Sequence, residues 1–320
     1  MRLVSRFVAI GALIVAMANA AQAAWPDDRP IEIVVGFAPG GATDVMARAI
    51  APFIQKHLGA RLQPIIVNRP GASGEIAVTQ IMRAPPDGYT IGIVNLPGFF
   101  FLPMSRKTSY QTKDVALLAR VVSDPSVLVV GPNAKFADLN AVLAALKGSP
   151  GSVTVGHNGP GTNGHLALLR LEKAAEVKFN VVPFNGTAQQ RQALAGNHID
   201  LAFLAASEVF QPDQQSAPKE VIAQFSTSRG STLKSVPTTH ELGFPVEMTA
   251  ERGFAAPLGL PPEVFSRLQK AIEAAMKDPD YVKAAVIDAP FLAYLSGPEW
   301  EKKIDSELKI YEEFASAMPK

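Results

Sequence analysis

The chain has 320 residues, a formal net charge of +1 and no cysteine, which excludes a disulfide framework, a thiol nucleophile, a Cys-ligated metal and a lipidated cysteine at a processed N-terminus. That length accommodates two hydrophobic cores. Acidic and basic residues are interleaved, with no long single-sign run and no basic stripe carrying aromatics, so nothing marks a nucleic-acid partner and an anionic partner has to be held by local geometry.

Arg2 and Arg6 precede an apolar run over residues 7–17, and small residues lead into Ala21-Gln22-Ala23. This is the layout of a cleavable export leader, predicted as residues 1–23, and the run falls short of the roughly 20 residues of a membrane-spanning helix. Loss of Arg2 and Arg6 takes the formal charge from +1 to −1, and the mature chain is expected to be a soluble exported protein. Short β-branched runs at 31–37, 64–67 and 90–94 read as strands, with a crossover helix between the first two built on Val45, Ala49, Phe53 and Ile54 and ended by Gly59. Further strands are predicted at 126–130, 153–156, 180–183, 200–204 and 220–225. Between them fall a helix lined by Leu139, Val142, Leu143 and Leu146 and another carrying Leu166, Ala167, Leu169, Leu171 and Ala174. Toward the C-terminus, Pro262 opens a helix with Val264, Leu268, Ile272 and Met276 on one face, and Pro298 opens another with Trp300, Ile304, Leu308, Tyr311 and Ala315. Alternating strands and helices predict an α/β protein of two domains, each a mostly parallel sheet flanked by helices.

The chemistry is expected at the carboxyl ends of the strands, where glycine-rich turns enter helices. Phe37-Ala38-Pro39-Gly40-Gly41-Ala42-Thr43-Asp44 offers close backbone approach, free helix-start amides and a hydroxyl, an anion-accepting arrangement. An acid at Asp44 would repel an anion, so its predicted role is to structure the loop and complement the helix dipole. Asn68-Arg69-Pro70-Gly71-Ala72-Ser73-Gly74 repeats the pattern, with Ala72 and Ser73 as candidates and Arg69 as a solvated charge; it is not the G-x-S-x-G elbow of a hydrolase. Gly159-Pro160-Gly161-Thr162-Asn163-Gly164 matches a dinucleotide fingerprint in form, but Phe184-Asn185 stands where an acid should meet the ribose, so no cofactor is predicted. Asn158, Gly159, Gly161, Thr162 and Asn163 remain as anion-binding candidates, and Phe184 and Asn185 join them from the next strand end. His157 and His165 belong to no cluster with metal-ligand spacing; no metal is predicted, and His165 is assigned to fixing the turn. No nucleophile, base and orienting acid can be assembled from the spacing, so the chain reads as a binding protein, with an exported hydrolase using Ser73 or His157 as the rival and a ligand-sensing module as a third reading.

FAPGGATD, NRPGASGEIA, APPDGYTIG, GPGTNGHLA, VPFNGTAQQRQALAGNHIDLAF and GFAAPLGLPPE, in this order, resemble the tripartite tricarboxylate transporter substrate-binding proteins, the Bug family, over essentially the whole mature chain. The resemblance implies a two-domain Venus-flytrap fold of the type II periplasmic binding proteins. It also implies a small carboxylate held in the interdomain cleft by the Phe37 to Thr43 and Asn158 to Asn163 loops, delivery to membrane permease subunits, and a monomer without catalytic residues. By the same resemblance, residues 24–122 with 250–320 form one domain and 123–249 an inserted second, joined by two crossings. The chain departs from the family at His157-Asn158, at Phe184-Asn185 and at Glu251-Arg252, where Arg252 is positioned to reach a distal carboxylate.

Overall fold

The computed structural model describes residues 25–133, 135–209 and 221–316; the predicted leader, residues 24 and 317–320 of the expected first domain, and residue 220 of the last predicted strand lie outside them. In chain order the elements are β1 (Glu32–Val35), α1 (Ala42–Leu58), β2 (Ile65–Asn68), α2 (Glu75–Arg83), β3 (Thr90–Leu96), α3 (Gly98–Ser105), β4 (Val115–Val130), α4 (Leu139–Gly148), β5 (Thr154–His157), α5 (Asn163–Ala175), β6 (Asn180–Pro183), α6 (Thr187–Ala195), β7 (Leu201–Ala205), α7 (Ala206–Val209), β8 (Val221–Gln224), β9 (Thr249–Pro257), α8 (Pro262–Lys277), α9 (Pro279–Ala284), β10 (Leu292–Ser296) and α10 (Gly297–Ser316). Helix boundaries follow local chemistry. Gly59 adopts the left-handed conformation that ends α1, Asp138 caps α4 through the Ala141 amide at 2.8 Å, and Pro262 occupies the first position of α8.

Strand alternation explains the layering. In β1, Val34 faces one core while Ile33 and Val35 face the other; in β7, Leu201 and Phe203 go one way and Ala202 and Leu204 the other. One face is covered by α2, α3, α4, α5 and α10, the opposite face by α1, α6, α8 and α9. With both faces buried, strands read as continuous apolar runs rather than as alternating patterns.

The strands form one hydrogen-bonded path, β2-β1-β3-β9-β4-β7-β5-β6, with β8 and β10 also paired to β4. β4 is the 16-residue strand that joins the two halves: up to Pro125 it pairs with β9, and from Ser126 onward with β7 and β8. The expectation of two separate, mostly parallel sheets is corrected accordingly. The pairs β1–β2, β1–β3, β5–β6 and β5–β7 are parallel, whereas every pair made by β4 or β9 is antiparallel, because these two strands run back between the halves. The two-domain architecture of a periplasmic binding protein is retained, with β4 and β9 as the strands that pass between its halves.

Candidate ligand-binding site

The loop after β1 is held from within. Gly41 is the N-cap of α1 and has no side-chain cap, so the first amides of that helix lack intrahelical acceptors. The buried Asp44 carboxylate accepts the Gly40 amide at 3.0 Å, Arg48 Nε at 3.0 Å and Asn68 Nδ2 at 2.9 Å, while Asn68 also donates to the Phe37 carbonyl at 3.0 Å. Burial raises the pKa of Asp44, but the hydrogen bonds from Arg48, Gly40 and Asn68 outweigh it and keep the carboxyl below its ordinary range. The Thr43 hydroxyl accepts from Asn95 Nδ2 at 2.8 Å, which leaves its own proton free to donate.

The loop between β5 and α5 is built on two stacked imidazoles, His157 and His165, with ring centroids 4.6 Å apart. His165 Nδ1 accepts the Gly161 amide at 3.0 Å, which fixes the neutral tautomer protonated at Nε2; His157 Nδ1 lies 3.0 Å from the Gly159 carbonyl and 3.2 Å from its amide. Burial pushes His157 down to about 4, and burial with the neighbouring His157 pushes His165 down to about 3, so neither ring carries charge at neutral pH. Thr162 stands at the N-cap position of α5 without capping it, its hydroxyl bonding within the loop to Asn158 Oδ1 and the Gly159 carbonyl, and Asn163 Nδ2 donates to Ser126 Oγ at 3.0 Å, tying the loop to the point where β4 changes partners.

Between the halves lies a cavity of about 100 Å³. From one side it is lined by Phe37, Ala38, Gly41, Ala42, Thr43, Ser73, Asn95, Leu96 and Gly98; from the other by Asn158, Thr162, Asn163, residues 185–189, Ala205 and Glu208; and from β9 by Ala250 and Arg252. The starts of α1, α5 and α6 therefore converge on one space. The two sides touch beside it: a Cβ at Gly159 would come within 2.8 Å of Ser73 Oγ, and one at Gly161 within 3.0 Å of Leu102 and Phe101 on α3.

Of the residues predicted from sequence, Phe37, Ala38, Gly41, Thr43, Ser73, Asn158, Thr162, Asn163 and Asn185 line this cavity. Six others do not. Pro39 is exposed, Gly40 faces an adjoining outer hollow, and Ala72 lies on the outer surface with Arg69, whose Nε donates to Gln80. Gly159 and Gly161 shape the loop from behind, and Phe184 packs against the core near Gly156. The chemical expectation changes with them. Donors were expected from glycine amides, yet the amides of Gly40, Gly41 and Gly161 go to Asp44, Ala38 and His165, so the free donors are helix-start amides and the side chains of Thr43, Ser73 and Asn158, with Asn163 already giving one amide hydrogen to Ser126. Sequence reasoning missed Asn95 and Glu208, which sit at or just beyond the ends of β3 and β7, the available signal; Arg252, expected to reach a distal carboxylate, also lines the cavity.

Arg252 lines the cavity, but its charge is already engaged. Its Nη2 donates to Asp288 at 2.8 Å, to Asp124 at 3.0 Å and to Ser207 at 3.3 Å, all buried, and Ser207 in turn donates to Asp124. Burial pushes Asp124 up to about 7 against the pull of Arg252 and Ser207, and Asp288 is raised for the same reason. Among the described residues no group of three metal-ligating side chains occurs, and no helix is long and apolar enough to cross a membrane.

The model of the tripartite tricarboxylate transporter family receptor matches residues 46–293. The chain belongs to that family. Among curated relatives, this receptor is 32% identical over 270 residues to a UPF0065 protein of Cupriavidus necator, covering 84% of this chain and 81% of the relative. It is 31% identical over 289 residues to protein BugT of Bordetella pertussis, covering 88% and 87%. Among solved structures, the receptor is similar to Rpa4515 of R. palustris with adipate, with TM-score 0.83, 25% identity and coverage of 91% and 97%. MatC of Rhodopseudomonas palustris with bound malate gives TM-score 0.80, 25% identity and coverage of 90% and 99%.

Proposed function

We propose that this receptor captures a small carboxylate in the cavity between its halves, outside the cytoplasmic membrane, and hands it to the permease subunits of a tripartite tricarboxylate transporter. The observation that carries the reading is the convergence of three helix starts, from both sides of the molecule, on one cavity that already holds hydroxyl and amide side chains. The malate-bound and adipate-bound neighbours support the ligand class. Phe37, Ala38, Gly41, Thr43, Ser73, Asn158, Thr162, Asn163 and Asn185 are the proposed ligand contacts, with Asp44 and His165 holding their loops.

Residues 24–122 with 250–320 then move against residues 123–249, hinged where β4 and β9 run side by side. Four hydrogen bonds to a carboxylate, at about 1.5 to 3 kcal/mol each, suffice for micromolar affinity of about −8 kcal/mol after ordering costs. The receptor acts as a monomer, exported by its leader, and releases its ligand chemically unchanged. A thermal-shift screen of malate, adipate and other mono-, di- and tricarboxylates, followed by calorimetry, tests this. Saturable binding with no new product is expected; conversion of a bound acid, or no stabilisation by any carboxylate, would overturn it.

A further inference from the structure

Resting on that reading, we infer that the natural ligand carries a cationic nitrogen as well as its carboxylate, and that Glu208 receives it. Glu208 follows β7 in the short α7; it is 92% buried and lines the cavity. One carboxylate oxygen accepts the Ala205 amide at 2.9 Å, and the other has no hydrogen-bond partner among the described residues. Only two charged side chains line this cavity, Glu208 and Arg252, and the guanidinium is committed to Asp124 and Asp288 behind the wall. His157 and His165 stay neutral and add no positive charge.

The cavity is therefore two-ended. Helix starts, Thr43 and the asparagines favour an anion, while Glu208, which also borders the outer hollow that Arg191 lines, presents a carboxylate with no direct ion-pair partner among the described residues. Three carboxylates, Asp124, Asp288 and Glu208, surround one guanidinium, and Glu208 is among the charges that push Asp124 and Asp288 toward their protonated forms. A plain dicarboxylate would bury its second negative group near Glu208 and be repelled. An ammonium group there would instead form a charge-assisted hydrogen bond to the unused oxygen. The ligand class that satisfies both ends is the zwitterion, an amino acid or an amine-bearing acid.

The test is calorimetry on the mature protein with matched pairs that differ at one group: aspartate against malate and succinate, glutamate against glutarate, alanine against lactate, and phenylalanine against phenyllactate. For at least one pair the ammonium-bearing member should bind tenfold or more tightly than its partner. Glu208→Gln, which keeps an acceptor for the Ala205 amide, should abolish that preference while leaving the affinity for the nitrogen-free member equal or higher. Nitrogen-free acids binding as tightly as their amino counterparts in every pair, or an equal loss for both members in Glu208→Gln, would overturn this inference and leave the carboxylate receptor standing. Failure of every carboxylate, with or without nitrogen, would remove both.

Discussion

Gly40 has φ of +82°, and a Cβ built on it meets nothing within 4 Å. What a substitution there costs is thus backbone strain, about 1 to 2 kcal/mol for an L-residue in the left-handed region and more for a β-branched one. Relief of that strain would break the bond from the Gly40 amide to Asp44 and loosen the start of α1. Gly40→Val is expected to lower the melting temperature and weaken carboxylate binding, and unchanged calorimetric affinity would refute the role given to this loop. The paired imidazoles make a second prediction. His157 and His165 have folded values near 4 and 3, below the ordinary 6.5, so between these values and 6.5 the unfolded chain binds more protons than the native one. The stability they contribute is fully present above about pH 6.5 and is withdrawn as pH falls through 4 and then 3, on the order of 3 kcal/mol for His157. Their ring resonances should show no titration above pH 5 by NMR, and a midpoint near 6.5 would contradict the buried, neutral pair.

At the scale of elements, the β5–α5 loop and α3 close one side of the cavity. Gly161 has φ of +76° and an ideal Cβ only 3.0 Å from Leu102 and Phe101, so Gly161→Ala both strains the loop and pushes α3 away. The expected result is a loss of affinity larger than the loss of stability, since the proposed opening of the cavity would part the loop from α3 and relieve the contact. Comparing the calorimetric dissociation constant with the melting temperature measures the two, and equal affinity in the variant would show that this contact plays no part in closure. Long-range ties hold the helices themselves in place. At the far end of α1, Lys56 and His57 reach Asp278, between α8 and α9, at 2.7 and 2.9 Å, which fixes α1 against the C-terminal helices that share its core.

Over the whole molecule, β4 and β9 carry the connection between the halves, and the buried Arg252 cluster sits on them. Asp124 comes from β4, Ser207 from the second half and Asp288 from the C-terminal segment, so one guanidinium pins three stretches of chain. Arg252→Met would leave Asp124 and Asp288 without their cation, and removal of one partner from a buried pair costs about 3 to 5 kcal/mol. Denaturant unfolding should reveal a loss of that size at pH 7, smaller at pH 5, where Asp124, pushed up to about 7, favours its protonated form. A loss independent of pH would argue that the cluster is not ionised in the native protein. In the intact protein Asp124 opposes the histidines: its value rises from 3.8 to about 7, so its contribution falls as pH rises through that range and flattens the overall pH dependence.

The sequence by itself determined the alternation of strands and helices, the glycine-rich strand ends and nine of the residues that line the cavity, because those signals are local: apolar period, turn chemistry and capping. It did not reveal the first part of β4, nor β9, β10 and α3. The predicted strand began at residue 126, yet β4 starts at Val115, and Pro125 is where it exchanges β9 for β7 and β8. β9 buries the charged pair Glu251-Arg252 because Glu251 is neutralised by Arg120 and Lys303, and Arg252 by Asp124 and Asp288, partners far away in the chain. Only the tertiary structure decided which glycine amides are consumed inside their own loops and which carboxylate is left facing the cavity. The glycine amides are taken up by Asp44, Ala38 and His165 within their own turns, through loop conformations that no apolar period encodes, whereas Arg252 finds Asp124 128 residues away, and a charge is compensated by what lies beside it in space.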